Sequence, residues 1–157
     1  MLRVLIAAMA TFMTLSAATA GSVAPRNGWV VVNTAQSFSE LSNRLETAVK
    51  TEKMGLVTSA SASEGAKAAG ITIPGNRVVG VFRNDFARRM LSASVAAGIE
   101  APIRIYVTEN PDGTSTLSYK KPSFAFGPYY GEGKDDLKGL AEELDVIFSK
   151  IVEMATK

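Results

Sequence analysis

The chain has 157 residues, 46% of them hydrophobic, and a net charge of +2, which suits one domain with a core of its own. It contains no cysteine and no histidine, which removes disulfides, thiolate and imidazole metal ligands, the usual haem axial pair and histidine-based triads. The balance of 17 cations against 15 carboxylates gives no electrostatic footprint for nucleic acid.

Residues 1–20 read as a secretory signal peptide. Arg3 supplies the charged start, an apolar run extends from Val4 to about Ala18, and Ala18-Thr-Ala20 is a small-x-small cleavage site. The run is shorter than the roughly 20 apolar residues that a comfortable membrane span needs. The expected mature chain begins near Gly21, with a flexible leader over 21–27 and a single domain over 28–157. Its expected location is the periplasm or the exterior of the cell, with no membrane span after cleavage.

Trp29-Val-Val-Val-Asn33 is apolar on both faces and predicts a first strand that is central or covered by a helix. Ser37-Phe-Ser-Glu40 has the form of a capping box, and Phe38, Leu41, Leu45 and Val49 recur at helical spacing to about Lys53. Met54 to Thr58 predicts a second strand. Ser61-Ala-Ser-Glu64 opens a short alanine-rich helix that Gly70 ends. Ile71 to Asn76, with Pro74-Gly75, predicts a turn.

Val78-Val-Gly-Val-Phe82 predicts a third strand, in which Gly80 marks either a bulge or a close approach to the backbone. Asn84 reads as the cap of a helix that carries Phe86, Met90, Leu91 and Val95 towards the core, closed by Gly98. Arg83, Arg88 and Arg89 gather near its start, where cations oppose the helix dipole. Either they are solvated, or Arg83 and the free amides of Asn84 and Asp85 hold an anion.

The clearest signal is the hairpin from Pro102 to Pro122. Ile103, Ile105 and Val107 share one face of its first arm, and Arg104, Tyr106 and Thr108 the other. A three-residue loop, Pro111-Asp112-Gly113, sets Asn110 opposite Thr114, Val107 opposite Leu117 and Ile105 opposite Tyr119, so the apolar faces coincide. A loop one residue shorter would turn polar residues to the core. In the preferred register Arg104 falls near Lys120 and Tyr106 near Ser118. Like charges across a strand pair are unfavourable, so Arg104 either splays into solvent or reaches for an anion or carboxylate.

Ser123 to Gly133 is rich in aromatic residues and glycine and reads as a loop. Phe124, Phe126, Tyr129 and Tyr130 there form either packing or the wall of a small-molecule pocket. From about Lys134, a long stripe of Leu137, Leu140, Leu144, Ile147, Phe148 and Ile151 predicts a final helix across the sheet. Gly131-Glu-Gly-Lys134 fails as a phosphate loop, because proline stands at 128 and aspartate at 135.

Several pieces recur in a recognisable order: Gly55-Leu-Val, Gly65-Ala-Lys-Ala-Ala-Gly70, Val81-Phe-Arg-Asn84, Ala101-Pro-Ile-Arg104, Asp112-Gly113, Ser118-Tyr119 and Pro122. Together they resemble the bacterial and archaeal family called domain of unknown function 302, over nearly the whole mature chain. The resemblance implies an α+β fold, a curved antiparallel sheet with a long C-terminal helix packed across it, similar to the TATA-binding-protein-like class. It also implies a homodimer, since relatives are often dimeric; the class name implies shared topology and does not imply DNA binding. Many relatives carry a histidine where this chain has Ala62 and Ser63, and a proline where it has Asp85, so no histidine-based role passes to it.

The expected function is a non-enzymatic, exported domain that binds a small ligand or an envelope protein partner in a cradle between sheet and helix. Its expected binding residues are Arg83, Asn84, Arg104, Tyr119, Phe126 and Tyr129, with no metal; the cofactor stays open. Two alternatives remain: an enzyme with a carboxylate base among Asp85, Glu109 or Asp112 helped by Arg83 or Arg104, and a dimeric envelope interaction module.

Overall fold

The computed structural model describes residues 23–157, so the expected signal peptide and the start of the leader lie outside the described residues. Five strands, β1 (Trp29–Thr34), β2 (Gly55–Ala60), β3 (Asn76–Phe82), β4 (Ile103–Glu109) and β5 (Ser115–Lys120), form one antiparallel sheet in the order β1-β5-β4-β3-β2. The first strand is therefore an edge strand, and the expectation of a central position is corrected. Val30 and Val32 pack on the core, while Val31 turns to the opposite face beside Ser118. The two-sided apolar pattern reflects burial on one face and partial cover on the other.

Helix α1 (Phe38–Thr51) joins the two edge strands and so has to cross the sheet, burying Leu41, Leu45, Ala48 and Val49 on the way. The Ser37 side chain accepts a hydrogen bond from the Glu40 amide at 3.2 Å, which satisfies one of the free donors at the helix start. Helix α5 (Tyr130–Thr156) lies on the same face, with Leu137, Leu140, Leu144, Phe148 and Ile151 buried at helical spacing. Arg44 of α1 ties the two together by donating to the carbonyls of Ala155 and Met154 at 3.0 and 3.1 Å, where α5 leaves acceptors free. Among the described residues no helix is long and apolar enough to cross a membrane.

The hairpin follows the longer-loop reading. Asn110 donates its amide to the Thr114 carbonyl at 2.8 Å, Gly113 has φ +81°, and Ile105 faces Tyr119 as Val107 faces Leu117. Gly80 marks a close approach: a Cβ there would stand 2.7 Å from Pro102 Cγ and collide with Thr58 Oγ1. The bulge lies across from it in β2, where Val57 is skipped between Leu56 and Thr58.

Of the remaining helix expectations one is met and two change. Helix α2 (Ala62–Ala68) is capped by Ser61 as expected but buries nothing. Helix α3 (Asn84–Ala93) has Arg83 rather than Asn84 at its cap position; it buries Phe86 and Met90 while Leu91 and Val95 are 45% and 78% exposed. The chain leaves α3 at Ser94 and makes a short 3-10 turn over Ala96–Glu100, so the helical stripe is cut short before Val95. The expected aromatic loop is helical too. Residues Pro122–Phe126 form α4, a 3-10 turn follows, and α5 begins at Tyr130 with a break in helical geometry at Lys134 (φ 45°, ψ −139°).

Candidate functional site

The space between the sheet and the long helices is filled. The cavity lined by Met54, Val81, Phe86, Phe126 and Phe148 measures about 30 Å³, room for a water or two. This corrects the expected cradle between sheet and helix, because Phe126, assigned to its wall, is the packing itself, while Phe124 is 43% exposed. Phe126 is 1% exposed. The Tyr119 ring stacks at a tilt on Phe148, 5.5 Å between centroids, and burial pushes its phenol up to about 12. Tyr130 donates to the Ser123 carbonyl at 2.9 Å, and Tyr129 to Glu100 Oε1 at 3.1 Å.

Two of the three arginines near the start of α3 are likewise engaged, while Arg88 is exposed. Arg83 grips Asp85 through two hydrogen bonds, Nε to Oδ1 at 2.7 Å and Nη2 to Oδ2 at 3.0 Å, and lies 4.4 Å over the Phe86 ring. Arg89 makes a similar fork onto Glu143 of α5 at 2.6 and 2.9 Å. The anion expected at Arg83, Asn84 and Asp85 is supplied by the protein's own carboxylate, two residues along, and Asn84 is an exposed first residue of the helix. The six expected binding residues thus do not form one site.

One of them, Arg104, lies in a groove that sequence reasoning only partly located. The pairing of Trp29 with Lys120 and of Arg104 with Gly80, with the β4–β5 register continued one step beyond Ile105 and Tyr119, sets Trp29, Lys120 and Arg104 in one row that ends at Gly80, on the sheet face opposite the helices. The next row is Val31, Ser118, Tyr106 and Val78. Between these rows lies a groove of about 410 Å³, closed at one end by Glu100 of the 3-10 turn and Ala125 of α4. Tyr119 and Ile103, otherwise core residues, reach its margin.

The floor of the groove combines cations, aromatic faces and one unsatisfied hydroxyl. Arg104 and Lys120 are exposed, and among the described residues neither is paired with a carboxylate. Lys120 Nζ stands 5.9 Å from the Trp29 ring centre, and the Arg26 guanidinium 5.5 Å from it. The Ser118 hydroxyl is buried and has no hydrogen-bond partner among the described residues. Glu100 is the one carboxylate lining the groove, and it accepts from Tyr129.

The hairpin alternation already put Arg104, Tyr106, Ser118 and Lys120 on one face. What it lacked was the pairing of β1 with β5, which brings Trp29 to the groove. The nearest sequence signal was the parity of Trp29 within its strand, which means nothing until a partner strand is known.

The fold and groove define an α+β domain with one sheet face buried under helices and the other open and cationic at one end. The chain belongs to the family Domain of unknown function DUF302, whose model matches residues 30–155. It is similar to the uncharacterized conserved protein DUF302 from Bacillus stearothermophilus, known from a crystal structure. The TM-score is 0.72 at 20% sequence identity, over 84% of this chain and 100% of that one, a likeness of fold. No curated protein matches the chain.

Proposed function

We propose that this domain is a non-enzymatic binding module that takes a small ligand in the open-face groove. The observation that carries this reading is a groove of about 410 Å³, the size range of small-molecule sites, holding two cations that no carboxylate among the described residues pairs, between aromatic side chains. The carboxylates considered as a catalytic base are employed elsewhere. Asp85 is held by Arg83, Glu109 accepts from the Gly75 amide at 2.6 Å, and Asp112 accepts from the Thr114 amide at 3.0 Å. The pattern of residues 1–20 supports a role in the periplasm or outside the cell.

Trp29 is the chain's single tryptophan and lines the groove, so its fluorescence reports occupancy directly. Titration with a metabolite and lipid panel, beside native mass spectrometry, is expected to give a saturable change abolished by Tyr106→Ala. A panel that leaves both fluorescence and melting temperature unmoved would count against a ligand role.

A homodimer or envelope-docking module is the second reading. Leu91, Val95 and Ile99 favour it: they are 45%, 78% and 79% exposed on and just after α3. Light scattering of the wild type beside Val95→Glu/Ile99→Glu tests it, with an unchanged monomeric mass in both telling against it.

A further inference from the structure

We infer that the groove's ligand is a small organic anion, with its carboxylate or phosphoryl head between Arg104 and Lys120 and a flat apolar body over Tyr106 and Val78. This rests on the groove being the binding site. Three observations lead to the class of ligand.

The first is an uncompensated charge pair. Continuing the β4–β5 register one step beyond Ile105 and Tyr119 sets Arg104 across from Lys120. Like charges at that spacing destabilise a sheet, and among the described residues neither has a carboxylate to relieve it. An anion between them removes the repulsion, and the planar guanidinium can meet a carboxylate or phosphate with two hydrogen bonds. Arg26, 5.5 Å from the Trp29 ring centre and without a carboxylate partner among the described residues, adds to the same positive field.

The second is the Ser118 hydroxyl, 1% exposed and without a partner, directly across from Tyr106 in the register. A buried hydroxyl left unsatisfied costs roughly 1–3 kcal/mol. Ser118 lines the groove beneath its neighbours' side chains, and a small shift of those side chains would let a ligand oxygen accept its proton.

The third is the apolar share of the lining. Val78, the Tyr106 ring and Trp29 offer flat apolar area beside the cations, suited to a body that a free inorganic ion lacks. A cationic ligand would meet Arg104 and Lys120 with the same sign. A neutral one would desolvate both without pairing either. Glu100 opposes an anion only at the end wall, where Tyr129 already donates to it.

The experiment titrates the purified protein with four probes of one shape, 3-phenylpropionate, phenethyl phosphate, 3-phenylpropionamide and 3-phenylpropylammonium, and reads Trp29 fluorescence and melting temperature. The two anions are expected to bind at least tenfold more tightly than the amide, and the ammonium most weakly. Arg104→Gln/Lys120→Gln, checked for a native circular dichroism spectrum, is expected to lose at least tenfold for the anions and little for the amide. Lys138→Gln/Lys150→Gln removes the same charge from exposed positions of α5 and is expected to leave anion binding within twofold. An amide that binds as tightly as the carboxylate overturns the anion inference while leaving the groove as a ligand site. Equal losses in the two double variants also overturn it, since general charge would then explain the binding. Silence from all four probes up to millimolar concentration overturns the groove reading itself.

Discussion

Arg83 and Asp85, two residues apart, close on each other through two hydrogen bonds at 2.7 and 3.0 Å, across the first turn of α3. The pair resolves an apparent conflict. A cation at a helix start opposes the dipole, but here it is neutralised by a carboxylate in the position that the dipole favours. The guanidinium also covers the Phe86 ring, so the cluster closes the end of the core instead of opening a site.

The hydrogen bond from Arg83 is the main reason that the Asp85 carboxyl titrates below its ordinary value of 3.8. Its contribution to stability is therefore complete above that value and is lost as pH falls through the lowered folded-state value. The two side chains are 32% and 48% exposed, so solvent screens the pair. Asp85→Asn is expected to cost only about 0.5–1 kcal/mol at pH 7. Urea denaturation checks this at pH 7 and pH 2.5; a gap between wild type and variant that persists at the lower pH would contradict the assignment.

Ser37 and Ser61 make the same cap in unequal settings. Ser37→Ala removes the cap of a helix whose buried face crosses the sheet, and global stability is expected to fall by about 1 kcal/mol. Ser61→Ala releases a helix that buries nothing, so the loss is expected to stay local, as faster amide exchange in residues 62–70 with an unchanged urea midpoint. Equal shifts in midpoint would show that α2 unfolds with the core.

Where a residue's partner is close in sequence or fixed by a turn, the chain could be read directly. The Asn110–Thr114 closure, the Ile105–Tyr119 and Val107–Leu117 pairs and both serine caps depend on a few neighbouring residues. The candidate site depends on β1 meeting β5, some 90 residues on, and no local pattern encodes that pairing. The aromatic segment misled for a related reason. Pro122 is well suited to the first position of a helix, but the glycines that follow it look like a loop until Asp145 of α5 is seen accepting from the Ser123 amide and hydroxyl at 2.9 and 2.5 Å.

Gly80 has room for a hydrogen and nothing larger. Pro102 Cγ and the Thr58 hydroxyl close over its Cα from neighbouring strands. Gly80→Ala is expected to destabilise by about 1–3 kcal/mol, the usual range for overpacking a closed site. Adding Thr58→Ala removes one of the two obstacles and is expected to restore part of the loss, with Pro102 still in the way. A double variant no more stable than Gly80→Ala in urea denaturation would take the cost away from Thr58 and leave it with Pro102 or the backbone.

Tyr119 supplies the clearest dependence on pH. Its phenol is buried in the core against Phe148, and desolvation, with a smaller contribution from the Asp145 charge, raises it from 10.0 to about 12. In the unfolded chain the same group loses its proton near its ordinary value of about 10. Between those values the folded state holds a proton that the unfolded state has released, so stability falls as pH rises from 10 to 12 and is unaffected below 10. Two units correspond to about 2–3 kcal/mol. Tyr119→Phe keeps the ring and lacks the proton, so it is expected to match the wild type closely at pH 7, and the wild type is expected to lose about 2–3 kcal/mol more than the variant across that window. Urea midpoints measured in parallel from pH 9 to 12.5 give the difference, in which the titration of lysines and the other tyrosines cancels. Parallel curves for the two proteins would mean that the phenol reaches water and that the ring does not sit in the core as placed.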